Sequence, residues 1–311
     1  MSYYLYPKAN PGEIQLQCRS EPAVNYLSPS LTRYLSDLFN QIQSRFPEYY
    51  NIQNEAHPYY RGILSNGPAD SFYEIAEIMY TMRLNHYLDN YVSKNVQILN
   101  IGTYSNAVYY SRKSLNRNDI NMCNLSFKME EYFGAFQKIH VVFADYMSDV
   151  KTMIQQLCAA LACQSKKGIL IWKVGDCFTE IMLDIIYFVS SFYQKIYFMK
   201  PTIMDISKSE KYIICKGFSP QNNYIDRLFY LSKSVNESSG HIYRILKDPI
   251  PYFFLIKLEE MNYVFGQSQL EQIHYLVLLM NHKYKNDKIQ NLAKVNLLKC
   301  SEWLSRFRFI A

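Results

Sequence analysis

The chain has 311 residues, of which 49% are hydrophobic and 19% charged, so it can bury a large core and is not an intrinsically disordered protein. The formal net charge of +6 is compatible with a polyanionic partner, but no block of like charge is long enough to form a nucleic-acid-binding tail. The seven cysteines show no metal-ligand spacing, which predicts reduced thiols, no bound metal and a cytoplasmic protein.

The N-terminal part of the chain carries little apolar sequence. It has no segment typical of a signal peptide. The longest apolar run of the whole chain, around residues 181–189, is interrupted by Asp184 and is too short for a bilayer span. We therefore expect no membrane association. The first 30 residues are polar and rich in proline, which predicts an irregular arm. An amphipathic helix is predicted over residues 28–46, followed by a loop over 47–69.

Strands and helices alternate in the middle of the chain. After a helix over about 70–91, the predicted strands are 96–104, 120–127, 138–145, 168–174, 195–199 and 211–218, with helices at 147–164 and 177–193. This order is typical of βαβ units, so we predict an α/β fold built on a mainly parallel sheet. Ligands of such sheets bind at the carboxyl ends of the strands, where Gly102, Asp145 and Lys173 stand.

The last third of the chain has a helical pattern. The predicted helices are 222–238, 250–264, 267–285 and 286–307, with lysine and arginine on their polar faces. We read them as a helical extension packed on the sheet domain, with a surface available to a protein partner. The predicted domains are an N-terminal arm and helix at 1–69, the sheet domain at 70–221 and the extension at 222–311.

One stretch of the sheet domain carries family motifs. A lysine (Lys173) ends the strand ILIWK, a K-P pair (Lys200-Pro201) follows the strand KIYFM, and S-E-K-Y with Glu210 opens the strand KYIICKGF. In this order and spacing, residues 167–218 resemble the C-terminal half of the FtsJ-like RNA 2′-O-methyltransferases, in particular versions carried by large cytoplasmic DNA viruses. The resemblance covers roughly residues 70–218. It implies a Rossmann-like sheet with helices on both faces and a last strand inserted antiparallel.

The resemblance also implies an activity and a set of catalytic residues. The family transfers a methyl group from S-adenosylmethionine to RNA, the mRNA cap being one candidate substrate, with a Lys-Asp-Lys-Glu tetrad that favours the alkoxide form of the ribose hydroxyl. Carried over by motif, the mid-chain aspartate is Asp145, the strand-end lysine is Lys173 and the glutamate is Glu210. In FYEIAEI (72–78), Glu74 stands where the family has its first lysine.

The methyl-donor loop departs from the family pattern D-x-G-x-x-P-G-G-F. Here Asn100 replaces the acid, Gly102 is kept, and Ser-Asn-Ala around Asn106 replaces P-G-G. Asn100, Gly102 and Asn106 are the candidate cofactor-binding residues. Only 43 positions separate Gly102 from Asp145, fewer than two full βα units need, so the part that binds the adenosine ribose is expected to be trimmed, with Asn124 or Glu130 as its candidate residues.

Several assignments remain alternatives at the level of sequence. Asp145 is either a site acid or the N-cap of the helix predicted at 147–164, and Asp176 is read as the cap of the helix at 177–193. Three lysines near the loop 200–210 either contact RNA phosphates or are ordinary solvated residues; they are Lys200, Lys208 and Lys211. Two functions stay open: an active RNA 2′-O-methyltransferase, or an inactive relative that binds RNA or serves as a scaffold.

Overall fold

The structure is a computed structural model that describes residues 3–7, 9–10, 12–22, 24–64, 70–92, 96–102, 120–124, 139–282 and 285–307. The chain forms two compact units. Unit 1 consists of Met1–Ser28, Asn85–Lys200 and Glu210–Asn262, and unit 2 of Pro29–Leu84, Pro201–Ser209 and Tyr263–Ala311. Each unit is therefore assembled from discontinuous segments, whereas the sequence was divided into three continuous ones.

The secondary structure is mixed. The strands are β1 Tyr3–Tyr6, β2 Ile14–Arg19, β3 Val96–Ile101, β4 Ile120–Asn124, β5 Ile139–Ala144, β6 Gln164–Val174, β7 Tyr193–Met199, β8 Lys211–Phe218 and β9 His241–Leu246. The helices among the described residues are α1 Pro29–Ile42, α2 Phe46–Ala56, α3 Asp70–Thr81, α4 Leu84–Asp89, α5 Val150–Cys163, α6 Glu180–Ser190, α7 Tyr224–Glu237, α8 Tyr252–Asn281 and α9 Lys285–Arg306. None of them combines the length and the apolar character that a bilayer span requires.

Unit 1 is built on a seven-stranded sheet with the order β1-β7-β8-β6-β5-β3-β4. Strands β4, β3, β5 and β6 run parallel, and β8 lies antiparallel between β6 and β7. The predicted Rossmann-like α/β fold, flanked by helices and with its last strand inserted antiparallel, is confirmed. After β3 the chain passes first to β4 on one side and then to β5 on the other, so the strand order reverses between β3 and β5. Such a switch point is where ligands of open α/β sheets bind.

The centre of this sheet follows from a run of apolar residues in β6. Ile169, Leu170 and Ile171 are fully buried, and Trp172 is 1% exposed, as expected for a strand covered on both faces. β6 pairs with β5 on one side and with β8 on the other, where Leu170 lies opposite Cys215. This register places the carboxyl end of β6 beside the amino end of β8.

Parts of unit 1 differ from the sequence prediction. The N-terminal arm was expected to be irregular, but β1 pairs with the edge strand β7 and β2 pairs with β9 in a second, two-stranded sheet. β9 lies in the gap between the helices predicted at 222–238 and 250–264. These pairings join residues 190 or more positions apart, such as Tyr3 and Met199, so nothing local in the sequence marks them.

A buried carboxylate fastens β9 to helix α6. Asp184 is 1% exposed, and its Oδ2 accepts hydrogen bonds from the backbone of Ile245 at 2.9 Å and of Leu246 at 3.1 Å. Arg244 donates two further bonds to the same carboxylate, at 2.9 Å and 3.0 Å, and this carboxylate raises the pKa of the arginine. The residue that interrupts the longest apolar run is thus a structural anchor of unit 1.

Three elements predicted from the sequence also differ from the structure in and next to unit 2. The loop expected at 47–69 contains α2, whose Tyr49, Ile52 and Ala56 are buried at helical spacing. The helix expected at 70–91 is divided into α3 and α4 by Arg83, which has a φ of +50°. The two helices expected at 250–264 and 267–285 are the single helix α8, which runs from unit 1 into unit 2. It contains Gly266, where a Cβ would clash with Leu31 of α1, so this glycine permits close helix packing instead of ending the helix.

The segment Pro201–Ser209 is held within unit 2 by another buried acid. Glu77 of α3 is fully buried and accepts hydrogen bonds from the backbone and the hydroxyl of Thr202, from the backbone of Ile203 and from Nε1 of Trp303. Burial raises the pKa of Glu77, although these four bonds oppose the shift. The acid therefore joins α3 and α9 to the segment that precedes β8 in the chain.

Candidate active site

A lysine and a glutamate meet at the carboxyl edge of the unit 1 sheet. Lys173 lies near the end of β6, opposite Tyr212 in the antiparallel register, and Glu210 immediately precedes β8. The register therefore brings both side chains to the same strand end, with Nζ of Lys173 3.1 Å from Oε2 of Glu210. The Lys173 side chain is 13% exposed and that of Glu210 is 35% exposed, so the ion pair is partly shielded from water.

The ammonium of Lys173 lies close to an aromatic ring as well as to a carboxylate. Its ammonium lies 5.8 Å from the centre of the Tyr212 ring, within the range of a cation–π contact. An ammonium with limited solvation needs such partners, and the carboxylate of Glu210 supplies the strongest one. Lys173 is thus a fixed cation that reaches the edge of the sheet where ligands of this fold bind.

Lys211 occupies a different environment from the one expected. It is 4% exposed, and its Nζ donates a hydrogen bond of 2.7 Å to the carbonyl of Gly175. A buried ammonium bonded in this way offers no contact to an RNA phosphate. It stabilises the turn that follows β6, and its charge opposes the burial that raises the pKa of the neighbouring Cys177 thiol.

The switch point between β3 and β5 brings together two predicted residues, Gly102 and Asp145. The backbone N–H of Asp145 donates to the carbonyl of Ile101 at 2.9 Å. Gly102 has a φ of +101°, and a Cβ at this position would stand 2.7 Å from Cβ of Asp145. Only glycine permits this turn without strain. Asn100 of β3, two residues before Gly102, is 4% exposed, and its amide nitrogen donates to the carbonyl of Gly102 at 3.5 Å.

The two capping alternatives are wrong. Helix α5 is capped by Asp149, whose Oδ2 accepts from the backbone of Thr152 at 2.8 Å, so Asp145 is not the N-cap. Asp145 lies four residues before that cap and accepts from the backbone of Tyr146 at 2.8 Å. Helix α6 starts one residue after its N-cap Thr179, and Asp176 is an exposed residue of the preceding loop.

Tyr146 belongs to this cluster and was missed in the sequence. Its ring lies against Gly175, where a Cβ would come within 2.9 Å of the ring, and it is 47% exposed. Partial burial and the carboxylates of Asp176 and Glu210 raise the pKa of its hydroxyl. The only sequence signal was its position, directly after a strand-end acid, and many tyrosines in this chain compete with it.

The remaining predicted residues are spread over the chain. Glu74 is a buried residue of α3 in unit 2. Lys200 ends its segment of unit 1 and is half-buried, whereas Lys208 is exposed in unit 2. Asn124 is the last residue of β4 and pairs with Asn100 in the backbone register. Asn106 and Glu130 lie outside the described residues.

Over the part of the chain that the structure describes, no three histidine, cysteine, aspartate or glutamate side chains are placed to hold a metal ion.

Comparison with known proteins gives weak likenesses to methyltransferases. No protein-family profile and no curated protein matches the chain. Among solved structures, it is similar to a protein from Streptococcus mutans described as a SAM-dependent methyltransferase (11% identity, TM-score 0.29, covering 43% of this chain and 48% of that one). It is also similar to phosphoethanolamine N-methyltransferase 2 of Haemonchus contortus in complex with S-adenosylhomocysteine (8% identity, TM-score 0.31, covering 50% and 41%).

A third likeness is to an O-methyltransferase from Nostoc punctiforme (10% identity, TM-score 0.27, covering 47% of this chain and 59% of that one). The chain spans about half the length of the structures it matches. At these TM-scores the likenesses place the chain in no family and carry no argument about its activity. The strand order and the side-chain geometry of unit 1 carry the argument that follows.

Proposed function

We propose that this chain is an FtsJ-like, S-adenosylmethionine-dependent RNA 2′-O-methyltransferase of the type carried by large cytoplasmic DNA viruses, with the mRNA cap as candidate substrate. The observation that carries the proposal is the contact of 3.1 Å between Lys173 and Glu210 at the carboxyl edge of a sheet whose last strand is inserted antiparallel. The motif resemblance of residues 167–218 names these two residues for the reaction, and the register of β6 and β8 brings them together.

The chemistry of the pair follows from its charge. A cation beside the 2′-hydroxyl of a bound ribose stabilises the oxyanion that develops as the hydroxyl oxygen attacks the methyl group and releases its proton. Glu210 pairs with Lys173 and fixes the direction of its ammonium. Asp145, at the end of the neighbouring strand, is the candidate to orient the hydroxyl. Partial burial reduces solvent screening and so strengthens each of these interactions.

The methyl donor would lie at the switch point between β3 and β5. When bound, S-adenosylmethionine supplies an electrophilic methyl group. Gly102 fits this role because its left-handed turn lets a ligand approach the backbone, and Asn100 presents an amide where the family has a carboxylate. Within unit 1, Lys200 is the candidate to contact RNA phosphates.

A second candidate function rests on the altered donor side. Asn100 in place of an acid and the buried Glu74 in place of the first tetrad lysine favour a methyltransferase-like protein without turnover. In this alternative the chain binds RNA, or acts as a scaffold subunit that docks a protein partner through its C-terminal helices.

Calorimetry with S-adenosylmethionine separates the two functions. The first predicts a dissociation constant in the micromolar range for the wild-type protein, and a weaker one for Gly102→Ala, whose turn would be strained. The second predicts no heat at millimolar donor while capped RNA still binds. Lys166→Ala, an exposed substitution at the far end of β6, is the matched control and should leave both titrations unchanged.

A further inference from the structure

A groove lies between helices α1 and α8 in unit 2. Its volume is about 460 Å³. Its lining residues are Tyr34, Asp37, Leu38, Gln41, Leu270, Glu271 and His274. The α1 residues recur at the spacing of one helix face, so a single side of this short helix forms one wall.

The groove has an apolar floor and an acidic rim. Leu38 and Leu270 are half-buried, whereas Asp37 and Glu271 are exposed carboxylates, one on each wall. The Tyr34 ring is 62% exposed and extends the apolar surface at the opening. Such a groove favours a ligand with aliphatic groups at its centre and positive charges on both flanks, because each carboxylate then gains a partner.

Helix α9 exposes aliphatic side chains flanked by lysines, whose charge is opposite to that of the groove. One edge of this helix is buried through Asn296, Cys300 and Trp303, which are spaced at i, i+4 and i+7. The reverse side exposes Val295 and Leu298, and Leu298 is 68% exposed. Around these two apolar residues lie the exposed lysines Lys288, Lys294 and Lys299. We call these five residues the basic face of α9.

The basic face has an aliphatic centre and flanking positive charges, which are the two features that complement the groove. Its two aliphatic side chains are three positions apart and lie on one side of a helix, and lysines flank them at the spacing of one turn. The acids on the same side, Asp287 and Glu302, stand toward its two ends, so the centre of the face carries positive charge only.

From this complementarity we infer that the groove binds the basic face of α9 of a second copy of this chain. Val295 and Leu298 would cover Leu38 and Leu270, and lysines would pair with Asp37 and Glu271. Because two different surfaces meet, the contact is heterologous and produces a head-to-tail ring or chain of subunits instead of a closed two-fold dimer. This inference is independent of the methyltransferase proposal.

Charge reversal in sedimentation experiments tests the inference. The wild-type protein should show an average mass that rises with concentration above its 36.8 kDa monomer. The groove variant, Asp37→Lys with Glu271→Lys, and the face variant, Lys294→Glu with Lys299→Glu, should each associate at least about tenfold more weakly, since like charges then face each other. Thermal melting monitored by circular dichroism verifies that both variants are folded.

Mixing the two variants gives the decisive result. In the mixture each reversed groove meets a reversed face and each native groove meets a native face, so association should return to the wild-type level. A control variant with reversals at exposed lysines of unit 1, Lys166→Glu with Lys233→Glu, keeps both native surfaces and should associate by itself as strongly as the wild type. A wild-type protein that stays monomeric at all concentrations, or an unchanged mass in either charge-reversed variant, would overturn the inference.

Discussion

The two sides of the switch point in unit 1 use different means to place their functional residues. On one side, the antiparallel register of β6 and β8 sets Lys173 beside Glu210, and both residues depend on strand pairing. On the other side, the turn at Gly102 sets the end of β3 against Asp145, and the position depends on a backbone conformation that few residues adopt. The first side fixes the position of two charged side chains, whereas the second fixes the path of the backbone.

This difference explains how the two sides can diverge in sequence. The family resemblance is strong over the charged side and weak over the donor side, where Asn100 replaces an acid. The fold of the donor side needs only the glycine and an apolar strand, so it tolerates such a change. The charged side loses its ion pair if either Lys173 or Glu210 changes. The following predictions probe the two sides, from the largest expected effect to the smallest.

The largest effect on stability is expected for Asp184, a buried carboxylate in the helix that follows β6. Helix α6 connects β6 to β7, and its Asp184 is bonded to Arg244 and to the backbone of β9. Asp184→Ala removes one partner of a buried ion pair and leaves the others unsatisfied. We expect a loss of about 3–5 kcal/mol in the free energy of unfolding, measured by urea denaturation. Lys233→Ala, at a side chain that is 63% exposed, should change it by less than about 0.5 kcal/mol.

Two glycine substitutions compare the two sides directly. Gly102→Ala forces a Cβ into a left-handed turn and against Asp145, with an expected loss of about 1–3 kcal/mol in the free energy of unfolding. Gly175→Ala places its Cβ against the exposed ring of Tyr146, which can move away, so the change should stay within about 1 kcal/mol. Equal losses in the two variants would show that the donor side is not fixed by the conformation of Gly102.

The smallest effect concerns the hydroxyl of Tyr146. Its pKa is raised above the ordinary value of 10.0 by burial and by the carboxylates of Asp176 and Glu210. Asp176→Asn should move the pKa of Tyr146 down toward that value, as followed by the ring-carbon NMR signal that Tyr146→Phe removes. Asp149→Asn is the control, because this acid does not act on Tyr146.

The same shift has a consequence for stability at alkaline pH. The folded state keeps the Tyr146 proton at a pH where the unfolded chain has lost it, so folding becomes less favourable as the pH rises above about 10. Tyr146→Phe should lack this part of the decline. A pH profile identical to that of the wild type would contradict the proximity of Tyr146 to the two carboxylates.

The sequence allowed the sheet to be predicted because its strands are local and strongly apolar. β5, β6 and β8 each contain a run of four apolar residues, at 141–144, 169–172 and 212–215, and β3 is mainly apolar. The antiparallel position of β8 followed from the family resemblance. The pairings of β1 with β7 and of β2 with β9 could not be predicted, since they depend on contacts between distant parts of the chain. Gly266 misled the prediction of α8 because a glycine reads as a helix end unless the packing against Leu31 is known.

The candidate site was only partly accessible from the sequence. Lys173 and Glu210 were identified by their motifs, and the strand register that joins them could be expected from an inserted antiparallel strand. The burial of Lys211 could not, because a lysine at the first position of a strand is expected to be solvated until its neighbours are placed. Tyr146 could not be found either, since its role depends on the absence of a side chain at Gly175.

The central claim is that Lys173 polarises a ribose hydroxyl, and a methyl-transfer assay tests it most directly. Labelled S-adenosylmethionine and capped RNA are incubated with the wild type, Lys173→Ala and the control Lys166→Ala, using RNA with a blocked 2′-hydroxyl to identify the acceptor. We predict transfer by the wild type and by Lys166→Ala, and a loss of at least about 100-fold for Lys173→Ala with unchanged donor affinity. Transfer by Lys173→Ala at nearly the wild-type rate, or no transfer by the wild type, would contradict the claim.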